Sequence, residues 1–212
     1  MSKATNDALY GKRAGVASTA KLVFTLCLGA VGATILWPVG HSDAATTLPK
    51  GMTSCGLDLR AEFREGAPVD RFTITNRSTP DWSIRSITLN LEPSAGKLIF
   101  DTKDGGDGVE VFQPFREAGG NADLRSISKL RDGGPVLTLD FHTFEADQSY
   151  TFSIDVDDTV KASELGQIRV AGSEITGASL SYILRGPGGM ITKAAADFDS
   201  SARSAVKGRV CQ

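Results

Sequence analysis

A chain of 212 residues with 41% hydrophobic residues is long enough to bury one substantial core, and its formal net charge of −2 is close to neutral. Its 23 glycines, and the excess of Phe (10) over Tyr (3) and Trp (2), favour a turn-rich β protein over a helical bundle. No basic stripe with interleaved aromatic residues is visible along the sequence, which argues against nucleic acid as a partner.

The N-terminal segment has the three parts of a secretory signal. Lys12, Arg13 and Lys21 precede an apolar run over residues 22–40, and small residues follow the run. Cleavage before Ala45 would remove residues 1–44. Because a run of this length also spans a bilayer, an uncleaved N-terminal membrane anchor is the alternative. In both cases we expect the rest of the chain to be exported to the periplasm, the cell surface or the medium. It would touch the membrane only if the N-terminal segment stays uncleaved, and then only through that segment.

Two cysteines, Cys55 and Cys211, remain in the exported part, one near each end. In an oxidising compartment such a pair predicts one disulfide. It would tie a C-terminal tail, residues 200–212, back to the first strand of a domain covering residues 45–199. Two unpaired thiols are the alternative.

Short apolar runs with period-2 alternation, separated by Gly, Pro, Asp and Asn, predict a series of β-strands. In chain order they cover residues 56–63, 69–76, 82–92, 97–101, 108–115, 136–141, 149–156, 167–172 and 178–185, with a hairpin partner at 190–198. The alternation slips by one position near Arg85 and Ser86, which predicts a β-bulge.

Two segments follow another pattern. Residues 121–132 carry apolar side chains three apart and are the one helical candidate of the domain, and residues 200–210 are expected to form a short helix or a frayed tail. Since no helix of 10–15 residues separates the strands, the pattern predicts an all-β fold of antiparallel sheets. An immunoglobulin-like β-sandwich is the favoured architecture, and a jelly roll is the runner-up.

Motifs for catalysis are missing from the sequence. The predicted exported domain has a single histidine, His142, and it lacks a nucleophile elbow, a phosphate loop and a zinc-protease motif. We therefore expect a noncatalytic protein. A small hydrolase that uses carboxylates distant in the sequence is the alternative. Asn76, Arg77 and Ser78 match the N-glycosylation sequon.

Two acidic clusters are candidate calcium sites, since calcium takes six to eight oxygen ligands. In "DTKDGGDGVE", Asp101, Asp104, Asp107 and Glu110 follow one another at steps of three. In "FSIDVDDT", Asp155 and Asp157 share one face of a strand, roughly 7 Å apart. Asp158 begins the next loop, and Glu174 can join from a later turn. The predicted ligands are Asp155, Asp157, Asp158 and Glu174; the alternative for both clusters is a solvated turn or strand end.

The order of several sequence blocks also favours calcium binding. Residues 63–76, 96–102, 108–115, 131–141, 152–159 and 170–180 follow in an order that resembles bacterial exported proteins known as aggregation factor core protein, with "EVFQPF" and "DVDDT" as the most specific parts. The resemblance covers roughly residues 57–183. It implies calcium-dependent adhesion and favours Asp155, Asp157 and Asp158 as ion ligands.

Together these features predict a noncatalytic exported protein in cell-surface adhesion or matrix interaction, with calcium as the candidate ion. Its partner would be a cell-surface or extracellular polymer, or another envelope protein. A carbohydrate-binding module is an alternative, which an exposed row formed by Trp82, Tyr150 and Tyr182 would support. A purely structural envelope protein is another.

Overall fold

Twelve short β-strands make up the domain in the computed structural model, which describes residues 55–66, 69–109, 111–161 and 169–208. The predicted signal or anchor and Cys211 lie outside these residues. Within them, no helix is long and apolar enough to cross a membrane.

The strands alternate with short loops, and the only helical element of the described residues is a single 3-10 turn at Pro187–Gly189. The strands are β1 (Asp58–Arg64), β2 (Arg71–Asn76), β3 (Ser83–Asn90), β4 (Ile99–Asp101), β5 (Arg116–Gly120), β6 (Asp123–Ile127), β7 (Val136–Thr143), β8 (Ser149–Ser153), β9 (Asp155–Asp157), β10 (Ser179–Arg185), β11 (Ile191–Asp197) and β12 (Arg203–Lys207).

All pairings between these strands are antiparallel. The first sheet has the order β12-β1-β2-β8-β5, the second has the order β11-β10-β3-β7-β6, and β4 and β9 form a separate two-stranded sheet. The predicted all-β antiparallel sandwich is confirmed. Four connections pass directly from one five-stranded sheet to the other: β2 to β3, β5 to β6, β7 to β8 and β11 to β12. Two more crossings run through the small sheet, from β3 by way of β4 to β5 and from β8 by way of β9 to β10.

The period-2 pattern of the sequence determines which side chains enter the core. In β11, for example, every second residue is buried and the others are exposed. Phe72 of the first sheet lies at the centre of an aromatic cluster, with ring centroids 4.9 Å from Phe63, 5.1 Å from Phe152 and 6.3 Å from Phe198. Burying one such side chain fully contributes about 1.5–3 kcal/mol, so these alternating faces supply most of the stabilisation.

Bulges interrupt several ladders. Ile183 pairs with Ser86 while Leu184 pairs with Ile84, so Arg85 is the extra residue, and the predicted bulge is confirmed. The edge strands β5 and β6 also shift register, between Glu117 and Gly119 and on both sides of Leu124. These two edges are therefore irregular.

Several local predictions are wrong. Residues 121–132 contain strand β6 instead of a helix, because this edge segment pairs with β7. The tail segment 203–207 is strand β12, an edge strand of the first sheet in which Ser204 and Val206 are buried. No strand forms in the described residues of 108–115 and 167–172, whereas the glycine-rich strand β5 was not predicted.

The C-terminal strand lies close to the start of the domain. β12 pairs with β1, and beyond the paired residues the Gly208 N–H donates to the Leu57 carbonyl at 2.7 Å. The ladder thus extends toward Cys55, while Cys211 lies outside the described residues. The Cys55–Cys211 disulfide stays a prediction.

A buried asparagine fixes the crossing from β2 to β3. Asn76 is 0% exposed, and its Nδ2 donates to the carbonyls of Trp82 at 3.1 Å and Phe144 at 3.4 Å. Its Oδ1 accepts from the Ser78 N–H at 3.1 Å. The side chain of this sequon residue is thus buried and fully bonded in the folded protein.

We expect Asn76→Ala to lower the free energy of unfolding by about 2–3 kcal/mol, because it leaves buried backbone groups without partners. Urea unfolding of the full-length protein measures this loss. Asn90→Ala is the control, since Asn90 makes an exposed bond to the Glu92 N–H and its loss should cost less than about 1 kcal/mol. Equal losses in both variants would contradict the role given to Asn76.

Candidate metal centre

The small β4–β9 sheet brings acidic side chains into the interior. Asp101 lies directly opposite Asp155, and Ile99 lies opposite Asp157. The exposed fractions of the three aspartates are only 3%, 6% and 2%. Facing residues of an antiparallel pair have Cβ atoms about 5 Å apart, so Asp101 and Asp155 are close neighbours.

A fourth carboxylate, Asp70, enters from the residue before β2. Its Oδ1 accepts from the Gly66 N–H at 3.2 Å, and its Oδ2 accepts from the Val156 N–H at 3.3 Å. The Ile154 N–H donates to the Asp70 carbonyl at 3.3 Å. These bonds hold Asp70, which is 5% exposed, against β9. We name Asp70, Asp101, Asp155 and Asp157 the carboxylate cluster.

The loop that follows β4 closes over the cluster. The Val109 N–H donates to Asp157 Oδ2 at 2.8 Å, and the Lys103 N–H donates to Asp101 Oδ1 at 3.4 Å. Gly108 lies so close that a Cβ at this position would overlap the carboxyl groups of Asp101 and Asp157. Only glycine leaves room there for both acids.

No basic side chain of the described residues forms an ion pair with the carboxylate cluster. Asp155 Oδ2 and Asp157 Oδ1 are buried without a hydrogen-bond partner among the described residues. The ion pairs within the described part of the chain lie elsewhere, at Arg60–Asp58, Arg64–Glu62 and Arg125–Asp140. Unpaired carboxylates in such surroundings must gain either protons or a cation.

Burial changes the acidity of these groups. Loss of solvation raises the pKa of Asp155 to about 8, and the nearby charges of Asp157, Asp70 and Asp101 add to this effect. Burial likewise raises the pKa of Asp70 to about 7 and that of Asp157 to about 6, although backbone N–H bonds partly oppose both shifts. The pKa of Asp101 is also raised, mainly by burial.

The donor set suits a hard cation. Calcium prefers carboxylate and carbonyl oxygens in flexible geometry, and the cluster offers four carboxylates from three segments of the chain. In the described residues no group of three or more acidic, His or Cys side chains is already arranged around a single ion position. Binding would therefore require the carboxylates to turn toward a shared ion.

The predicted ligands divide into two places. Asp155 and Asp157 belong to the carboxylate cluster, whereas Asp158 and Glu174 meet at Gly96, where an added Cβ would lie 3.4 Å and 3.0 Å from their Cβ atoms. Glu174 Oε2 accepts from the Ala171 N–H at 2.6 Å, which closes its own turn. Asp158 still lies close enough to contribute to the raised pKa of Asp157.

Asp70 and Asp101 were not predicted to join Asp155 and Asp157. Asp101 lies at the end of a predicted strand, which is a signal that its side chain could point inward. Asp70 has no such signal, because its position depends on hydrogen bonds to residues far along the chain.

The other predicted calcium loop is organised by Asp132, an aspartate that lies outside the predicted cluster. Asp132 accepts hydrogen bonds from the Thr102 N–H at 2.8 Å, from the Thr102 hydroxyl at 3.0 Å and from the Asp107 N–H at 3.0 Å. These bonds lower its pKa. Asp104 and Asp107 are exposed, and Glu110 lies outside the described residues. Asp132 thus shapes the loop that covers the carboxylate cluster.

The remaining candidate residues, His142 and the three predicted surface aromatics, do not belong to the carboxylate cluster. His142 is exposed on β7, apart from the buried acids. Trp82, Tyr150 and Tyr182 are each 1% exposed, so they form no aromatic row on the surface.

We expect Gly108→Ala to lower the free energy of unfolding by about 1–3 kcal/mol, because the added methyl group overlaps the Asp101 and Asp157 carboxyls. Urea unfolding of the full-length protein measures the change. The control is Gly172→Ala, whose added Cβ would meet only the Ala202 Cβ at 3.4 Å and should have little effect. A wild-type stability for Gly108→Ala would show that the loop does not pack on the cluster as described.

Comparison with known proteins gives no match: no family model, no curated protein and no solved structure is significantly similar to this chain. The functional assignment therefore depends on the chemistry of the carboxylate cluster and of the surface.

Proposed function

We propose that this protein is a noncatalytic exported β-sandwich that acts in cell-surface adhesion or matrix interaction and binds calcium at the carboxylate cluster. The supporting observation is the burial of Asp70, Asp101, Asp155 and Asp157 with no basic side chain paired to them in the described residues. Each ionised carboxylate kept from water costs several kcal/mol unless a countercharge offsets it. A divalent cation supplies that countercharge to several carboxylates at once.

Calcium would act on the structure around the cluster. Asp70 precedes β2, Asp101 ends β4, and Asp155 and Asp157 form β9, so one ion would join three segments that are distant in sequence. The loop after β4 leads to Val111 and Phe112, which are 44% and 38% exposed. Calcium would thus order a segment that presents apolar side chains to a partner, as an adhesive module requires.

The burial of the acids favours an ion over a substrate. A glycosidase needs two carboxyl groups that reach a polymer. The four acids here are 2–6% exposed and leave almost no surface for a sugar ring. An aromatic sugar-stacking face finds no support either, because Trp82, Tyr150 and Tyr182 are buried.

The proposed function also includes export of the domain and a disulfide between its two ends. The signal-like segment of residues 1–44 would deliver the domain to a compartment where calcium is abundant and thiols are oxidised. The ladder from β12 to Gly208, beside Leu57, supports a bridge between Cys55 and Cys211. Such a bridge would hold both ends of the sandwich together.

The stability of the calcium-free protein should fall as the pH rises from about 5 to about 8. Asp70, Asp155 and Asp157 have native pKa values of about 7, 8 and 6, above their ordinary value of 3.8, so the native state holds protons that the unfolded chain releases. This stabilisation is complete below about pH 4 and is lost as the pH rises through the native pKa values. Melting temperatures of the full-length protein in chelator measure the decline.

Millimolar calcium should restore several degrees of melting temperature at about pH 8, and less at about pH 5, where protons compete for the same oxygens. If calcium changes the melting temperature at neither pH, the metal site is wrong. A calcium-free protein whose stability rises with pH over this range would contradict the protonated cluster.

Asp155→Asn should stabilise the calcium-free protein at about pH 8, because it removes a buried charge, and should abolish most of the response to calcium. Asp104→Asn is the matched control, since Asp104 is exposed outside the cluster and its variant should behave like wild type. Melting temperatures with calcium and with chelator separate the two variants.

The same pair of variants tests adhesion. Beads coated with the wild-type or Asp104→Asn protein should cluster in calcium, and Asp155→Asn beads should stay dispersed. A wild-type protein that gains stability from calcium but does not cluster beads would retain the metal site and refute the adhesive role.

A further inference from the structure

The outer face of the first sheet has the opposite charge to the chain as a whole. The chain has 25 acidic and 23 basic residues, yet strands β12, β1 and β2, with the residue after β2, expose six basic side chains on this face. They are Arg60, Arg64, Arg71, Arg77, Arg203 and Lys207. Three carboxylates, Asp58, Glu62 and Asp199, lie among them. We name the six the basic face.

The register of the strands places some of these cations unfavourably. Arg64 lies directly opposite Arg71, and like charges in facing positions of a sheet repel. Arg60 and Arg64 have carboxylate partners, and the register places Arg203 opposite Glu62 and Lys207 opposite Asp58. Arg71, Arg77 and Arg203 form no ion pair within the described residues. An anion between these cations would remove the repulsion.

A shallow depression collects four of the six cations. It has a volume of about 410 Å³, and its polar lining comprises Arg60, Arg77, Arg203 and Lys207, the carboxylates of Glu62 and Asp199, and the hydroxyls of Thr73, Thr75 and Ser204. The four cations outnumber the two carboxylates, so the depression is net positive. Guanidinium groups bind carboxylates and sulfates through two parallel hydrogen bonds. Threonine hydroxyls can accept hydrogen bonds from sugar hydroxyls and donate hydrogen bonds to them. The basic face extends roughly 20 Å along the strands and roughly 10 Å across them, which suits an extended chain of anions.

Aromatic side chains are missing from this surface. Of the described Phe, Tyr and Trp residues, all but Phe112 and Phe115 are buried, and those two lie in the segment before β5. Single-stranded nucleic acids are bound largely by stacking of bases on aromatic rings, so this face is suited to a polymer recognised by its charges and hydroxyls alone.

We propose that the basic face binds an acidic polysaccharide through its carboxylate or sulfate groups. This inference names the partner of the proposed adhesive role and takes its biological meaning from that role. The binding itself uses residues outside the carboxylate cluster, so it can be measured without calcium.

The test uses full-length protein in chelator and two fluorescent polymers, polygalacturonate and dextran sulfate, with neutral dextran as the reference. The triple variant Arg71→Gln, Arg77→Gln and Arg203→Gln should raise the Kd for at least one acidic polymer by about tenfold or more. Added salt should weaken wild-type binding, because exposed charges are screened. Comparison of the two polymers shows whether carboxylate or sulfate is preferred.

The matched control neutralises three exposed cations of the second sheet, with Arg85→Gln, Arg185→Gln and Lys193→Gln. It should bind like wild type, and unchanged melting temperatures should show that both triple variants are folded. Equal loss of binding in both triple variants, equal binding of neutral dextran, or tighter binding of single-stranded DNA of the same charge would overturn the inference. If neither acidic polymer binds while beads still cluster in calcium, the inference fails and the adhesive role stands.

Discussion

Four buried carboxylates without a basic partner in the described residues impose the main electrostatic constraint on this fold. Most of the sandwich is stabilised by apolar alternation, and any one of its core side chains adds to the free energy of unfolding in the same direction. The carboxylate cluster works against folding unless protons or a cation occupy it. The pH and the cation concentration of the solution therefore change the free energy of unfolding.

The fold accommodates this cluster by giving it a separate small sheet. β4 and β9 pair only with each other, at a place where the loop after β4 covers Asp101 and Asp157. The cluster is nevertheless joined to the first sheet, because Asp70 directly precedes β2 and β9 follows β8 after a single residue. A change in the charge of the cluster therefore acts on the ends of β2 and β8, which are neighbours in the first sheet.

The sequence predicts the sandwich well because its signal is local. Alternation along a single strand gives its buried face, and the slip at Arg85 even locates a bulge. The predictions for the edge strands β6 and β12 were wrong for different reasons. β6 is mostly exposed and lies in a segment with apolar residues three apart, as in a helix, whereas β12 buries a serine and exposes an alanine, which weakens its hydrophobic alternation. For the candidate site, alternation placed Asp155 and Asp157 on one face. The position of Asp70 and Asp101 beside these two residues depends on contacts between segments that are distant in the sequence, so a single strand does not reveal it. The same holds for the basic face, whose cations come from three strands and form no stripe in the sequence.

The irregular edges of the two sheets limit how copies of this protein can associate. At β5 the ladder shifts register and Gly120 approaches the backbone of Ser149 too closely for any side chain, and at β6 the register shifts twice. Flat edges with regular spacing are what permit one chain to extend the sheet of another. Interrupted edges of this kind resist such strand addition at β5 and β6. If a second chain extended a sheet of this domain, it would do so at β11 or β12, the two edges whose ladders keep a single register.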